Sequence, residues 1–259
     1  MTEILVEASH LVKDFSRGAR AVDDVSFTIR TGESFGLVGE SGSGKSTTAA
    51  ILLGLEQPTS GTVRFGGHDV SRATSREMLA LRRDMQLVMQ DPVSSLNRRR
   101  TVEQIVGLPL KLHRRLDTRG RRAEVVRLLA LVGLPEAMLT RYPHELSGGQ
   151  CQRVNIARAL AVSPKFLVLD ESVSAIDVVM QAQILNLVKK LQHELGLTYL
   201  FVSHDLAVVR YMCERIAVMQ HGRLVEVGTR AEIFSDRARD YTRELIAAAP
   251  ASLARQRAL

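Results

Sequence analysis

The chain has 259 residues, which is enough for one large domain or two small ones with a real hydrophobic core. Hydrophobic residues make up 45% of the chain and charged residues 24%, ordinary values that exclude a disordered, collagen-like or coiled-coil protein. The net charge of +7 is too small to decide between a solvated face and an anionic membrane, an acidic partner or nucleic acid.

Two features of the sequence bear on its location in the cell. No apolar run approaches the roughly 18 residues of a transmembrane helix, and residues 1–12 lack the basic-then-apolar pattern of a signal peptide. The two cysteines, Cys151 and Cys213, are too few for a disulfide framework or a four-cysteine metal site. We therefore expect a cytosolic protein with reduced thiols.

Short apolar runs that end in polar or glycine residues recur along the chain. They predict strands at Ser34–Val38, Gln86–Met89, Phe166–Leu169 and Thr198–Val202. Helical patterns lie between them at Lys45–Leu55, Arg121–Val132, Gln150–Ala161 and Met180–Glu194. This alternation predicts an α/β protein built on a parallel sheet. Residues 91–164 contain no clear strand and are predicted to form a helical insertion, and a helical tail follows Gly228.

Each predicted strand is followed by a residue that can do chemistry. These residues are Gly39, Gln90, the pair Asp170–Glu171, and His204. Parallel sheets bind their ligands at the carboxyl ends of the strands. If the strands are neighbours, these residues converge on one site.

The segment after the first of these strands has the pattern G-x-x-x-x-G-K-[ST] of a phosphate-binding loop. It is spelled by Gly39, Glu40, Ser41, Gly42, Ser43, Gly44, Lys45 and Ser46. The glycines let backbone amides point at phosphate oxygens, and the following helix adds the positive end of its dipole. Lys45 is expected to reach the β- and γ-phosphates and Ser46 to bind Mg²⁺. The alternative, a chance glycine-rich turn, does not account for the strand before the loop and the helix after it.

The other strand ends supply what hydrolysis of a nucleoside triphosphate requires. Asp170 is expected to hold Mg²⁺ through its water shell, and Glu171 to polarise the attacking water as general base. His204 could contact the γ-phosphate, and Gln90 could bind Mg²⁺ or water. The alternatives are a strand-terminal acid that only solubilises, and a structural histidine.

Two further features suggest nucleotide contacts. Phe15, after a strand-like stretch Ile4–Val12, could stack on adenine or could instead be a packed core residue. Leu146-Ser147-Gly148-Gly149-Gln150 precedes a predicted helix that Ser147 can cap, and its glycines expose backbone amides. This segment is a second candidate anion site.

The Leu-Ser-Gly-Gly-Gln segment together with the phosphate loop resembles the ATP-binding cassette (ABC) family. The resemblance covers about residues 3–250, with the motifs in the family's order. It implies a P-loop NTPase (RecA-like) core with an N-terminal β-rich subdomain and an inserted helical subdomain at about 91–164. It also implies one nucleotide-binding domain over 1–250, with 251–259 as a flexible tail. In this family two domains pair head to tail and sandwich ATP between the phosphate loop of one and the signature loop of the other.

The resemblance assigns a role to each matching residue. Phe15 looks like the adenine-stacking aromatic, Asp170 like the Walker B aspartate, and Glu171 like the catalytic glutamate. Gln90 resembles the Q-loop glutamine and His204 the switch histidine, so the catalytic set is Glu171, His204, Gln90 and Lys45. The resemblance adds nucleotide contacts at Thr47, Ser147, Gly148, Gly149, Gln150 and, in the D-loop Ser174-Ala175-Ile176-Asp177, at Asp177. The implied metal ligands are Ser46, Gln90 and Asp170, for Mg²⁺ bound with ATP.

A narrower likeness points to a subgroup. The segments Gln90–Asn97, Tyr142–Glu145 and Asp240–Leu245 resemble the ATPase subunits of dipeptide, oligopeptide and nickel importers. This implies a peripheral subunit at the cytoplasmic face of the inner membrane. Its partners would be a second ATPase subunit, identical or different, two transmembrane permeases and, indirectly, an extracytoplasmic substrate-binding protein. Ser172 and Val173, Ile176, Cys151 and Arg98 depart from the usual residues of the subgroup without removing a catalytic group.

Two other functions compete with the transporter. A soluble ABC ATPase acting on nucleic acid or ribosomes would need long coiled coils or a second cassette, and the spacer Ser46–Leu146 has no sustained heptads. An accessory ATPase of an enzyme complex, such as the carbon–phosphorus lyase type, would bind lyase proteins rather than permeases. We expect no nucleic acid partner, and no iron–sulfur cluster because the tail lacks cysteines.

Overall fold

The structure, a computed structural model, describes residues 3–15, 18–114, 116–171 and 178–248. The chain divides into two compact units. The first unit consists of Met1–Leu81 and Thr198–Leu259, and the second of Arg82–Leu197. The predicted single domain over 1–250 stays a prediction, and the predicted tail at 251–259 lies outside the described residues.

The described residues form ten β-strands. In chain order these are β1 Ile4–Phe15, β2 Ala19–Arg30, β3 Ser34–Val38, β4 Ser60–Phe65, β5 His68–Asp69, β6 Met85–Val88, β7 Phe166–Asp170, β8 Thr198–Ser203, β9 Arg215–Gln220 and β10 Arg223–Thr229.

Nine α-helices lie within the same described ranges. They are α1 Lys45–Leu52, α2 Ser75–Asp84, α3 Val102–His113, α4 Thr118–Leu131, α5 Gly148–Leu160, α6 Val178–Leu195, α7 Leu206–Met212, α8 Arg230–Ile233 and α9 Asp240–Ala248. Short 3₁₀ turns cover Glu136–Thr140 and Pro143–Glu145. None of the helices in the described part of the chain is long and apolar enough to cross a bilayer.

The first unit contains two sheets. One is antiparallel, with the strand order β2-β1-β4-β5. In the other, β3 lies between β8 and β9 and runs parallel to both, while β10 pairs antiparallel with β9. All five residues of β3 are buried, as expected for a strand with neighbours on both edges and cover on both faces. This sheet carries the phosphate-loop segment at the carboxyl end of β3.

Helix α7 packs directly against the backbone of β3. A Cβ at Gly36 would lie 2.5 Å from Val209 Cγ1 and 3.2 Å from Cys213 Sγ. Only glycine leaves room for this approach, and the contact buries the Cys213 thiol completely.

The second unit contains a parallel strand pair and a group of helices. Strand β6 pairs with β7 in register Met85↔Phe166 to Val88↔Leu169. Between these strands the described residues form α3, α4, α5 and the two 3₁₀ turns, with no strand. Helix α5 is the most buried of these helices, with nine of its 13 residues inside.

The predicted strands and helices are all present, and their ends differ for local reasons. Helix α1 ends at Leu52 rather than Leu55, because Gly54 adopts the left-handed conformation with φ +61°. Helix α4 begins at Thr118 rather than Arg121, because the Asp117 side chain accepts a hydrogen bond from the Gly120 amide and caps the helix.

Candidate active site

The phosphate-loop segment connects β3 to α1, as its pattern predicts. Gly39, Gly42 and Gly44 have φ of +152°, +79° and +101°, which side chains rarely allow. A Cβ at Gly39 would collide with the Met219 carbonyl oxygen, and one at Gly44 with the Ala21 carbonyl oxygen. Two of the three glycines are therefore required by neighbouring backbone as well as by conformation.

Lys45 lies across the inside of this loop. Its side chain is buried, and its Nζ donates to the carbonyl oxygens of Gly39 at 2.8 Å and Glu40 at 2.6 Å. A third contact joins it to Ser43 Oγ at 3.3 Å. These acceptors are neutral, so the ammonium group can exchange them for charged phosphate oxygens at a gain in electrostatic energy.

The amino terminus of α1 faces the loop without a side-chain cap. Gly44 is the N-cap residue, and no acidic residue lies in the first turn. Since the first amides of a helix have no partner within the helix, they suit an anion. Ser46 is exposed at this terminus, and Thr47 is half-buried beside it.

His204 follows β8 at the edge where the phosphate loop leaves β3. The two strands are parallel neighbours, with Val38 paired to Ser203. Asp205 next to the histidine caps α7 by accepting from the Ala207 amide at 2.8 Å, and Ser203 Oγ accepts from the Asp205 amide at 2.9 Å. The backbone on both sides of the exposed His204 is thus fixed. In the first unit the carboxyl ends of β3 and β8 therefore lie side by side, as expected for neighbouring parallel strands.

Gln90 and Glu171 meet in the second unit. They follow the parallel strands β6 and β7, and Gln90 Nε2 donates to Glu171 Oε2 at 2.8 Å. The hydrogen bond fixes one oxygen of the carboxylate. Asp170, the last residue of β7, is half-buried beside it. The ends of β6 and β7 therefore also lie together, while the convergence of all four strand ends on one site stays a prediction.

Glu171 has a left-handed backbone, with φ +45°. Glutamate does not favour this conformation, which costs on the order of 1–3 kcal/mol and is most often found at functional sites. With this backbone the Glu171 carboxylate lies just beyond the end of β7, where it accepts the hydrogen bond from Gln90.

The segment that follows Gln90 is held by hydrogen bonds. Asp91 Oδ1 accepts from the amides of Val93 at 2.9 Å and Ser94 at 3.1 Å, and the Ser94 hydrogen bonds are the main cause of a lowered pKa at Asp91. Asn155 of α5 donates to the Pro92 carbonyl at 2.9 Å. The position of Gln90 is therefore tied to α5.

The signature segment opens α5 with a reciprocal cap. Ser147 Oγ accepts from the Gln150 amide at 3.3 Å, and Gln150 Oε1 accepts from the Ser147 amide at 2.9 Å. A Cβ at Gly149 would collide with Met180 of α6, whereas Gly148 has open space around it. The predicted helix therefore begins at Gly148, two residues early, and the Gln150 side chain is used in the cap.

Phe15 is the last residue of β1 and is 42% exposed, so it is not a packed core residue. Lys13 Nζ lies 5.0 Å from the centroid of its ring. The predicted D-loop contact Asp177 lies outside the described residues.

The comparison with known families decides the class. The family model of ABC transporters matches residues 22–174, more than half of the chain. This chain belongs to the ABC transporter family.

Relatives and solved structures agree with this membership. The ABC chain is 47% identical to the oligopeptide transport ATP-binding protein OppF of Streptococcus mutans, over 95% of this chain and 82% of that protein. It is similar to cbiO1 of Clostridium perfringens, part of the ABC transporter complex cbiONQ, with TM-score 0.83 and 28% identity over 98% of this chain and 99% of cbiO1. It also resembles the cassette MJ0796, solved as a dimer in a post-hydrolysis state with ADP and Pi, with TM-score 0.79 and 32% identity over 88% and 99% of the two chains. The predicted P-loop fold and ABC ATPase class are confirmed.

The phosphate loop makes one contact that the sequence motifs do not predict. The Gly222 amide, in the turn between β9 and β10, donates to the Ser43 carbonyl at 3.0 Å. The His221-Gly222 pair between two apolar runs indicates a hairpin turn. A distance of about 180 residues along the chain separates it from the loop, so no local pattern reveals the contact.

Proposed function

We propose that this chain hydrolyses ATP to drive import of oligopeptides through a membrane complex. The observation that carries the ATPase part is the hydrogen bond between Gln90 and Glu171, directly after the strand that ends in Asp170. Similarity to OppF over nearly the whole chain supports peptides as the cargo.

Phosphate binding belongs to the loop before α1. Lys45 turns from the carbonyls of Gly39 and Glu40 to the β- and γ-phosphate oxygens, and the amides of the loop and of the α1 terminus supply further donors. Phe15, which is 42% exposed, stacks on adenine, gaining about 1–3 kcal/mol by analogy with base stacking.

The donor set fits Mg²⁺, which takes oxygen ligands and keeps several waters. Ser46 of the first unit would offer a hydroxyl, and Gln90 and Asp170 of the second would offer an amide oxygen and a carboxylate. A bound ion would supply charge neutralisation at the phosphates. Asp170 is the acid at the end of β7 and would hold the ion through water.

Hydrolysis is assigned to Glu171. Its carboxylate polarises a water whose oxygen attacks the γ-phosphorus, while the bond from that phosphorus to the bridging oxygen breaks and ADP leaves. The proton of the water passes to Glu171. Gln90 holds Oε2 of the carboxylate and so orients it, and His204 stabilises charge on the γ-phosphate.

Two cassettes are proposed to act together, head to tail. The loop from Ser147 to Gln150 in each cassette, in which Gly148 is exposed and Gly149 is buried, is proposed to face the ATP held by the other. Asp177 is proposed as a further contact at that junction. The dimer of MJ0796 supports the pairing of two cassettes, and the place of cbiO1 in a transporter complex supports further partner subunits. We propose two permease subunits and an extracytoplasmic binding protein as those partners, with this chain at the cytoplasmic face of the inner membrane.

The test of the ATPase is the Glu171→Gln variant beside wild type. Wild type is expected to hydrolyse ATP slowly, and the variant to lose at least about 100-fold of the rate while forming an ATP-dependent dimer on size exclusion. Glu194→Gln, the same change at an exposed helix position, serves as the control and keeps wild-type rates. Hydrolysis that survives Glu171→Gln would overturn the assignment.

The cargo is tested in the complete complex. Once its permeases and binding protein are reconstituted in proteoliposomes, ATP hydrolysis is expected to rise with oligopeptides. Stimulation by Ni²⁺ and not by peptides would contradict the peptide proposal and leave the ATPase intact.

A further inference from the structure

The turn between β9 and β10 contacts the phosphate loop and β2 through the same residue. We define it as the clamp turn, residues Gln220–Arg223. Its Gly222 amide donates to the Ser43 carbonyl at 3.0 Å, and the Gly222 carbonyl accepts from the Asp23 amide at 2.8 Å. Gly222 therefore bridges the loop and β2.

The clamp turn has the backbone of a tight hairpin. Gln220 pairs with Arg223, and the two residues between them, His221 and Gly222, have φ of +48° and +81°. Such a turn fits only with a residue like glycine in its second place. A Cβ at Gly222 would lie 3.1 Å from the Ala21 carbonyl oxygen, so the turn also presses on β2.

The hydrogen bond from Gly222 to the Ser43 carbonyl also sets the orientation of the peptide bond between Ser43 and Gly44. In a trans peptide the carbonyl and the amide point in opposite directions. Because the Ser43 carbonyl is held by Gly222, the Gly44 amide is turned the other way, away from the Gly222 amide. A phosphate site uses backbone amides as its donors, so the direction of each amide in the loop matters for binding.

A charge pair holds the clamp turn on β2. Asp23 Oδ2 lies 2.5 Å from Arg223 Nε, and its Oδ1 lies 3.0 Å from Arg20 Nη1. Arg20 in turn pairs with Asp14 at 2.8 Å. The Asp23 side chain is 16% exposed, whereas both arginines are more than half exposed, so the carboxylate is the inner member of the network. Its hydrogen bonds to Arg223, and then to Arg20, lower its pKa.

We propose that Asp23 is a positioning residue for nucleotide binding: through its pairing with Arg223 it fixes the clamp turn, and Gly222 then fixes the peptide that presents the Gly44 amide to phosphate. This inference rests on the proposed function, because it takes the loop as a nucleotide site. It predicts a role in affinity and none in the chemical step.

The chain offers a matched pair of substitutions. Asp23→Asn and Asp24→Asn remove the same charge from adjacent residues with the same change of shape. Asp24 pairs with His10 and is 70% exposed, and its left-handed backbone, φ +55°, suits asparagine. Of these two carboxylates, the Asp23 side chain pairs with Arg223 of the clamp turn, and the Asp24 side chain pairs with His10.

The experiment measures the Kd for fluorescent ADP, and kcat and KM for ATP, on the purified full chain. Asp23→Asn is expected to raise Kd and KM by about five-fold with kcat within about two-fold, the pattern of lost ground-state binding. Asp24→Asn should leave all three within about two-fold. Arg223→Gln should raise Kd and KM as much as Asp23→Asn does, whereas Arg223→Lys should retain most of the wild-type affinity. The double variant Asp23→Asn with Arg223→Gln should lose little more affinity than either single variant.

Amide hydrogen exchange separates positioning from a general loss of stability. In Asp23→Asn, exchange should quicken in the peptides covering residues 39–46 and 215–229 and stay unchanged in β4. Faster exchange throughout the unit, or kcat falling as much as affinity, would make the effect structural and overturn the inference. Equal Kd for Asp23→Asn and Asp24→Asn would overturn it too. Wild type that binds no nucleotide would instead overturn the proposed function itself.

Discussion

Gly36 in the first unit packs so closely against α7 that no side chain fits at this position. At Gly36 the missing side chain admits Val209 and Cys213, and the thiol ends fully buried against the middle of β3. Burial raises the pKa of Cys213 well above its ordinary value, with the charges of Glu214 and Glu33 adding to the effect. A thiol in such a place behaves as a small apolar group, and its protonation is linked to folding.

Because the protonation of Cys213 is linked to folding, the free energy of unfolding should fall as the pH rises through the alkaline range. In the unfolded chain the Cys213 thiol loses its proton above about pH 8.5, while in the folded chain it keeps it. The contribution of the Cys213 thiol to the free energy of unfolding is complete below the pKa that the thiol has in the unfolded chain. This contribution is lost as the pH rises toward the pKa of the thiol in the folded chain, by at most about 1.4 kcal/mol per pH unit. Urea unfolding between about pH 8 and pH 10 should therefore show a smaller alkaline loss of stability in Cys213→Ala than in wild type. Identical slopes would rule out this role for the thiol.

At the scale of elements, two helices in the second unit begin with the same cap. Thr101 and Gln104 at the start of α3 repeat the reciprocal hydrogen bonds of Ser147 and Gln150 at the start of α5. The local energetics of the two helix starts are thus alike. Only the α5 cap belongs to the proposed nucleotide site.

Ser147→Ala and Thr101→Ala should each lower the free energy of unfolding by about 1 kcal/mol, because each removes one cap acceptor. ATP hydrolysis and ATP-dependent dimer formation should fall only in Ser147→Ala. Urea denaturation and an ATPase assay on the two variants check both statements. If Thr101→Ala lost activity as strongly, the cap on α5 would have no special part in nucleotide binding.

The sequence predicts elements well where burial imposes a simple pattern. The apolar runs at β3, β7 and β8 are strands buried on both faces. The polar residues that follow the paired strands β6 and β7 lie together as expected, with Gln90 donating to Glu171. The helix ends are less predictable, because caps such as Asp117 and left-handed residues such as Gly54 act over one or two positions. The contact of Gly222 with Ser43 leaves no local pattern, since it joins residues far apart along the chain.

At the scale of the whole molecule, the predicted machinery is distributed over both compact units. The first unit contains Phe15, the phosphate loop with Lys45, and His204, and the second contains Gln90, Asp170, Glu171 and Ser147. The phosphate-binding lysine and the proposed general base lie in different units, and substitutions at these two residues should fail at different steps of the cycle.

Lys45→Ala, in the first unit, should weaken ATP binding by about ten-fold or more, because it removes a charged donor to phosphate. Glu171→Gln, in the second, should bind ATP as wild type does and fail only in turnover. Equilibrium binding of ATP with Lys190→Ala as an exposed control distinguishes the two. Wild-type affinity in Lys45→Ala would contradict the phosphate role.

The left-handed backbone of Glu171 has a consequence for anyone who engineers this protein. Glycine adopts φ of +45° without strain, so a selection for thermal tolerance alone would favour glycine there. That exchange would remove the carboxylate on which turnover is proposed to depend. A variant from such a selection would be more stable to heat and would no longer hydrolyse ATP.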